Sequence, residues 1–208
     1  SWRASDPKNG KIMEFKFCKM HGLGNDFVVI EGLRQHVRLT PSLIRKISNR
    51  HLGIGCDQLL LIEPPSQGDL DFDFRYFNSD GNEVEQCGNG IRCMARYLYD
   101  EQLLGKSSLR VRSTKGVHEI QINQDKSITV NMGIPELNPA DIPFSAPEQA
   151  TSYSIDVQGK EYEISALSIG NPHAVIQIED INEADVQNIG ASLENHPRFT
   201  NKTNVGFM

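Results

Sequence analysis

A thiol stands immediately before a glycine-rich turn in Glu85-Gln-Cys87-Gly-Asn-Gly-Ile-Arg-Cys93. A cysteine at a helix N-terminus faces the positive end of the helix dipole and unpaired N–H groups, which favours the thiolate and lowers the pKa. Such a sulfur is a usable base or nucleophile. The N–H groups of Gly88, Asn89 and Gly90 can hold a carboxylate, and two residues without side chains let that anion come close to the backbone. One turn therefore offers a base and an anion site together. By itself the pattern also fits a packed helix start.

The other candidates are amides and one imidazole. Asn25 in Gly-Leu-Gly-Asn-Asp and Asn78 in Asn-Ser-Asp-Gly suit turns, for which Asn is well adapted. His173 follows Asn171-Pro172, and a thiol with an imidazole base is an acylation pair, so a cysteine hydrolase built on Cys87 and His173 is one reading. Cys18, Cys56 and Cys93 read as small buried thiols. Cys93 lies six residues beyond Cys87, about 240° round the same helix, and faces elsewhere. No His, Cys or acidic pair has zinc spacing, so no metal is expected, and His21-Gly-Leu-Gly-Asn lacks the full spacing of a dinucleotide loop.

The elements that must position these residues are short strands broken by turns. Strands are predicted at 14–19, 27–31, 57–62 and 71–77, then as an alternating antiparallel meander over 109–113, 117–123 and 127–132. A first helix starts at Thr40-Pro41, carries Leu43, Ile44 and Ile47 on one stripe and ends near Arg50. The helix after Cys87 runs from about Gly88 to Leu104, with Ile91, Ala95, Leu98 and Gln102 on one face and Gly105 as the stop. Residues 1–12 are polar and aperiodic and are expected to be a tag or disordered. Residues 13–132 read as a first domain. Residues 133–150 hold four of the ten prolines and read as an interdomain crossing. A second domain at 151–208 should carry strands at 152–157, 161–168 and 173–178 and a helix from about Glu183 to Glu194. The strand-like ending Val205-Gly-Phe-Met208 suggests a truncated chain.

Composition narrows the function. The 208 residues are 38% hydrophobic and 23% charged, and the formal charge of −6 gives no reason to expect nucleic acid or a phospholipid surface as partner. With no long apolar run, no secretory signal pattern and four scattered cysteines, the sequence reads as a cytoplasmic chain with reduced thiols and a small-molecule partner.

Six separated motifs then point one way. Met20-His-Gly-Leu-Gly-Asn-Asp-Phe27, Gly55-Cys-Asp-Gln-Leu59, Phe77-Asn-Ser-Asp-Gly81, Cys87-Gly-Asn-Gly-Ile-Arg-Cys93, Gly170-Asn-Pro-His173 and Asn204-Val-Gly-Phe-Met208 closely resemble the diaminopimelate epimerase family, in that family's order. The resemblance implies an α+β fold of two similar domains, each a mostly antiparallel sheet wrapped around a central helix, with the second domain incomplete here. It also implies an isomerase that epimerises LL-diaminopimelate to the meso form for lysine and peptidoglycan synthesis without pyridoxal phosphate or another cofactor. One cysteine thiolate removes the α-proton and a second thiol reprotonates the opposite face. Cys87 matches one of these, with Gly88 and Asn89 as backbone donors to the reacting carboxylate. Asn25 and Gln58 match the reacting end, His173 lies near the chemistry, and Asn78, Asn171 and Asn204 match the distal ammonium and carboxylate. In that family the second cysteine lies beyond the position of Met208, so the fragment is expected to be inactive alone. A proline racemase-like or other small-acid isomerase on the same fold is the neighbouring alternative, and a homodimer is left undecided.

Overall fold

The structure is a computed structural model that describes residues 1–5, 12–84, 87–182 and 184–208. It forms two compact units, Ser1–Met132 and Gly133–Met208. Among the described residues, the first unit holds strands β1 (Trp2–Ser5), β2 (Ile12–Phe15), β3 (Cys18–Gly22), β4 (Asn25–Glu31), β5 (Gln58–Glu63), β6 (Phe72–Asn78), β7 (Glu83–Val84), β8 (Ser108–Ser113), β9 (Gly116–Ile122) and β10 (Ile128–Val130). Its helices are α1 (Pro41–Ser48) and α2 (Gly88–Asp100).

Strands β3 to β10 make one sheet in the order β10-β9-β8-β6-β5-β4-β3, with β7 beside β6. Only the pairs β4–β5 and β6–β8 are parallel. Both ends of that order, β3 and β10, touch α2, as do β4 and β5, so the sheet curls round the helix. The reason lies in the side chains. Ile91, Met94, Ala95 and Leu98 of α2 are fully buried against Phe27, Val29, Leu60, Ile62, Phe74 and Tyr76. The intervening strand residues Val28, Ile30, Leu59, Leu61 and Phe77 point the other way, onto Leu43, Ile44 and Ile47 of α1. Strands buried on both faces read as continuous apolar runs, which is why β4 and β5 show no polar alternation.

The ends of the helices follow ordinary capping chemistry. Thr40 Oγ1 accepts the Leu43 N–H at 3.3 Å, with Pro41 in the first turn. Helix α2 stops earlier than its sequence pattern suggests. Gln102 adopts φ 55°, its N–H reaches the Tyr99 carbonyl at 3.1 Å, and the Leu103 N–H reaches the Leu98 carbonyl at 2.9 Å. That pair of bonds closes the helix in a Schellman turn, so Gln102 is exposed outside it rather than on its buried face.

One further expectation changes. The predicted strand over 14–19 is two strands, and β2 pairs with β1 in register from Trp2↔Phe15 to Ser5↔Ile12. Residues 2–5, in the stretch expected to be tag or disordered, form β1, with the Trp2 and Phe15 rings 5.5 Å apart; residues 6–11 lie outside the described residues.

The second unit holds β11 (Tyr153–Val157), β12 (Lys160–Ser168), β13 (Pro172–Ile176), α3 (Val186–Glu194) and β14 (Asn204–Phe207). Its four strands run in that order, antiparallel except for the parallel pair β13–β14. Helix α3 touches both outer strands, β11 and β14, repeating on a smaller scale the wrapping seen in the first unit. Asp185 caps α3 by accepting the Asn188 N–H at 3.2 Å; Glu183, the expected start, lies outside the described residues. The proline-rich segment 133–150 has no regular element, yet it belongs to the second core. Ile142 and Phe144 are buried there, with the Phe144 ring 4.9 Å from Tyr153 and 4.6 Å from Phe199. Its prolines bar a ladder but not packing. No helix among the described residues is long and apolar enough to cross a membrane.

Burial on both faces of β5 has a mechanical consequence. Leu59→Ala and Leu60→Ala, at consecutive positions, should each cost about 2–5 kcal/mol in urea unfolding. A strand buried on one face only would show one large and one small loss.

Candidate active site

Cys87 is the N-cap of α2, with an extended backbone and no side-chain cap. Its position is set by two contacts of the first turn. Tyr76 donates its hydroxyl to the Cys87 carbonyl at 3.2 Å, and a Cβ on Gly90 would stand 2.4 Å from Tyr76 Cε1 and 3.2 Å from Phe27 Cε1. Glycine at position 90 therefore lets the helix press onto the sheet. Gly88 is different, because a Cβ added there would meet only flexible side-chain ends, the nearest being Met132 Cε at 3.5 Å.

Of the two amides expected at the reacting end, Asn25 meets this turn and Gln58 meets Asn78. The Cys87 thiol donates to Asn25 Oδ1 at 3.5 Å. Asn25 opens β4 after a two-residue turn, Leu23-Gly24, with φ of 53° and 87°, the backbone of a type I′ hairpin. Asn89 lies over Gly22 on the neighbouring strand, and its Oδ1 accepts from Arg92. Gln58 and Asn78 are directly opposite across β5 and β6, and Gln58 Nε2 donates to Asn78 Oδ1 at 3.0 Å. Strand alternation puts both on the α2 side, two residues from Leu60 and Tyr76. Gln58 Oε1 is buried and has no hydrogen-bond partner among the described residues.

The electrostatics of Cys87 oppose the simple helix-dipole expectation. Burial of the thiol pushes its pKa above the ordinary cysteine value, and the N–H groups of Gly90 and Asn89 together with the Arg92 charge offset this only in part. Desolvation outweighs the helix end here because the half-buried thiol packs against the apolar core around α2. Cys18, Cys56 and Cys93 are also pushed up by burial, Cys93 to about 11.

In the second unit, His173 Nδ1 is 2.9 Å from the Asn171 carbonyl and His173 pairs with Asn204 across β13 and β14. Asn204 Nδ2 donates to the Pro172 carbonyl at 3.1 Å. Asn171 and Asn204 also line a cavity of about 600 Å³ together with Pro172, Glu194, Lys202 and Phe207. Among the described residues of the chain, no three His, Cys, Asp or Glu side chains cluster as metal ligands would.

The profile of the diaminopimelate epimerase family matches residues 17–138. Diaminopimelate epimerases of Pseudomonas fluorescens strain Pf0-1 and Azotobacter vinelandii are 52% and 50% identical over 196 residues, which is 94% of this chain and 71% of each relative. The chain belongs to the diaminopimelate epimerase family. Solved structures add a likeness of fold. A probable proline racemase from Agrobacterium radiobacter aligns with a TM-score of 0.55 at 14% identity, over 88% of this chain and 55% of that one. A hydroxyproline epimerase from Agrobacterium vitis, also 14% identical, gives 0.54 over 86% of this chain and 54% of that one. The chain thus spans little more than half the length of these structures.

One group in this diaminopimelate epimerase-family chain escaped the sequence reading. Arg50 holds Asp26 through both carboxylate oxygens at 2.8 and 3.0 Å and Asp57 at 2.7 Å, while Lys19 reaches Asp26 at 2.6 Å. The Asp57 N–H donates to Asp26 Oδ1 at 2.8 Å and the Asp26 N–H to Asp57 Oδ2 at 3.1 Å. The cluster ties the start of β4 to the start of β5. The available signal was that Asp26 follows Asn25 and Asp57 precedes Gln58 in the motifs already singled out.

Two outcomes follow from this geometry. Gly90→Ala should destabilise the protein by about 1–3 kcal/mol in thermal or urea unfolding, whereas Gly88→Ala should fold nearly as well as the parent. The Arg50 guanidinium holds the Asp26 carboxyl well below the usual carboxylate range. A carboxyl lowered on folding stabilises above its unfolded pKa of about 4 and loses that contribution as pH falls. Urea unfolding between pH 7 and 3 should therefore show a shallower loss of stability in Asp26→Asn than in the parent.

Proposed function

We propose that the chain carries one half of the acid–base machinery that epimerises LL-diaminopimelate to meso-diaminopimelate, with Cys87 as a proton-transferring thiol. The observation that carries this reading is the Cys87 sulfur held between the N–H groups of Asn89 and Gly90 and the Asn25 amide oxygen, at the mouth of a buried helix. An α-proton beside a carboxylate is very weakly acidic, so its removal needs a positioned acid–base group and fixed donors for the charge that develops on that carboxylate. The first turn of α2 brings both to one place. Gly88 and Asn89 supply backbone donors for the carboxylate, and Asn25 and Gln58 line the reacting end, where Gln58 Oε1 is an acceptor suited to the substrate ammonium.

Asn78 in the first unit and Asn171 and Asn204 in the second are read as amides for the non-reacting zwitterionic end, with His173 near the chemistry. Uncharged amides offer donors and acceptors without placing a competing charge beside the thiol. The reading needs no metal and no pyridoxal phosphate, takes a small-molecule substrate and fits a cytoplasmic place in lysine and peptidoglycan precursor synthesis. The sequence match, at about half identity, supports diaminopimelate rather than a proline-like substrate, because the racemase likeness is one of fold.

Proton NMR in D₂O tests this directly. A chain extended to the relatives' full length should exchange the α-proton of LL-diaminopimelate and invert one centre, while the 208-residue chain should do neither. Cys87→Ala in the extended chain should lower exchange at least 100-fold. Unchanged α-protons with the extended parent would sink the substrate assignment.

A further inference from the structure

The Cys87 thiol ends a chain of hydrogen bonds that begins at an ion pair. Arg50 Nη2 donates to Asp57 Oδ1 at 2.7 Å, Asn25 Nδ2 donates to Asp57 Oδ2 at 3.3 Å, and Cys87 Sγ donates to Asn25 Oδ1 at 3.5 Å. A carboxylate paired with a guanidinium only accepts. Asn25 can therefore turn only its NH₂ group toward Asp57, which leaves its oxygen for the sulfur. That choice has a chemical effect. An amide oxygen accepts a hydrogen bond from S–H but presents lone pairs to S⁻, whereas the NH₂ group would do the reverse.

We propose that Asp57, held by Arg50, is a positioning residue that fixes the orientation of the Asn25 amide and so keeps Cys87 as the protonated, proton-giving member of the acid–base pair. This rests on the acid–base reading of Cys87. Asp57 acts through Asn25 and touches no reacting atom. Its own place is over-determined, because its backbone N–H and one carboxylate oxygen are locked to Asp26 in the reciprocal bracket described above.

Among the described residues, the other groups near the sulfur act differently. Arg92, on α2, acts by charge and favours the thiolate. Tyr76, from β6, donates to the Cys87 carbonyl and not to the sulfur. Cys93 lies further along α2, a Cβ at Gly88 would meet the uncharged end of Met132 beyond β10, and one at Gly22 of β3 would meet Asn89.

The test reads the thiol rather than turnover, so its failure is distinct from failure of the epimerase assignment. The pH dependence of iodoacetamide alkylation at Cys87 is followed by mass spectrometry of the Cys87 peptide, in the 208-residue chain and in the extended chain. In Asp57→Asn the Asn25 amide is free to turn its NH₂ to the sulfur. The midpoint should fall by about one pH unit, a roughly tenfold gain in thiolate at neutral pH. Asp26→Asn removes an equal charge without touching Asn25 and should leave the midpoint in place. Asn25→Ala, which removes the acceptor, should lower the midpoint and serves as the deciding variant if Asp57→Asn does not fold. An unchanged midpoint in Asp57→Asn, or an equal fall in Asp26→Asn, overturns the proposal, the second outcome because a general charge effect would then explain it.

Discussion

The close approach of the first turn of α2 to the ring of Tyr76 is the contact on which the rest of the first unit depends. It is possible only because position 90 has no Cβ, and it fixes the depth at which the helix enters the curled sheet. The Tyr76 hydroxyl then ties the carbonyl of the N-cap residue to β6. Since β5 and β6 are in register at Gln58↔Asn78, the same strand that seats the helix also carries one member of the amide pair. Packing and chemistry share one ring.

Much of this was legible in residue types. Leu43, Ile44 and Ile47 announced the buried stripe of α1, and the alternation in residues 117–122 announced an exposed-and-buried strand, because those patterns report one face meeting a core. The end of α2 was not legible, since a glutamine at left-handed φ gives no compositional sign and the nearby Gly105 offered a false stop. Nor could composition show that Phe144 sits between Tyr153 and Phe199: prolines exclude a ladder but are silent on what an irregular segment packs against. At the site, Cys87, Asn25, Gln58 and Asn78 were named from motifs, and the structure brings Cys87 to Asn25 and Gln58 to Asn78. The Asp26–Arg50–Asp57 cluster was missed because its members are separated by 24 and 7 residues and surface ion pairs carry no distinctive pattern.

The direction of the Cys87 pKa shows how two sound local arguments are ranked by burial. A helix N-terminus favours a thiolate, and the Asn89 and Gly90 N–H groups do lower the value. The effect of such donors is limited to the first turn, whereas desolvation grows with every apolar neighbour, and Cys87 packs against the same cluster as Met94 and Ile91. The sequence shows the helix start but not how deeply its first residue is buried.

Burial of the thiols also bears on oxidative wear. Peroxide and other two-electron oxidants attack the thiolate, and the step to sulfenic acid is correspondingly selective for exposed, low-pKa cysteines. All four thiols of this chain are shifted the other way by burial. Cys87, half-buried and with its pKa raised, should therefore be less readily oxidised than an exposed thiolate at a helix N-terminus would be.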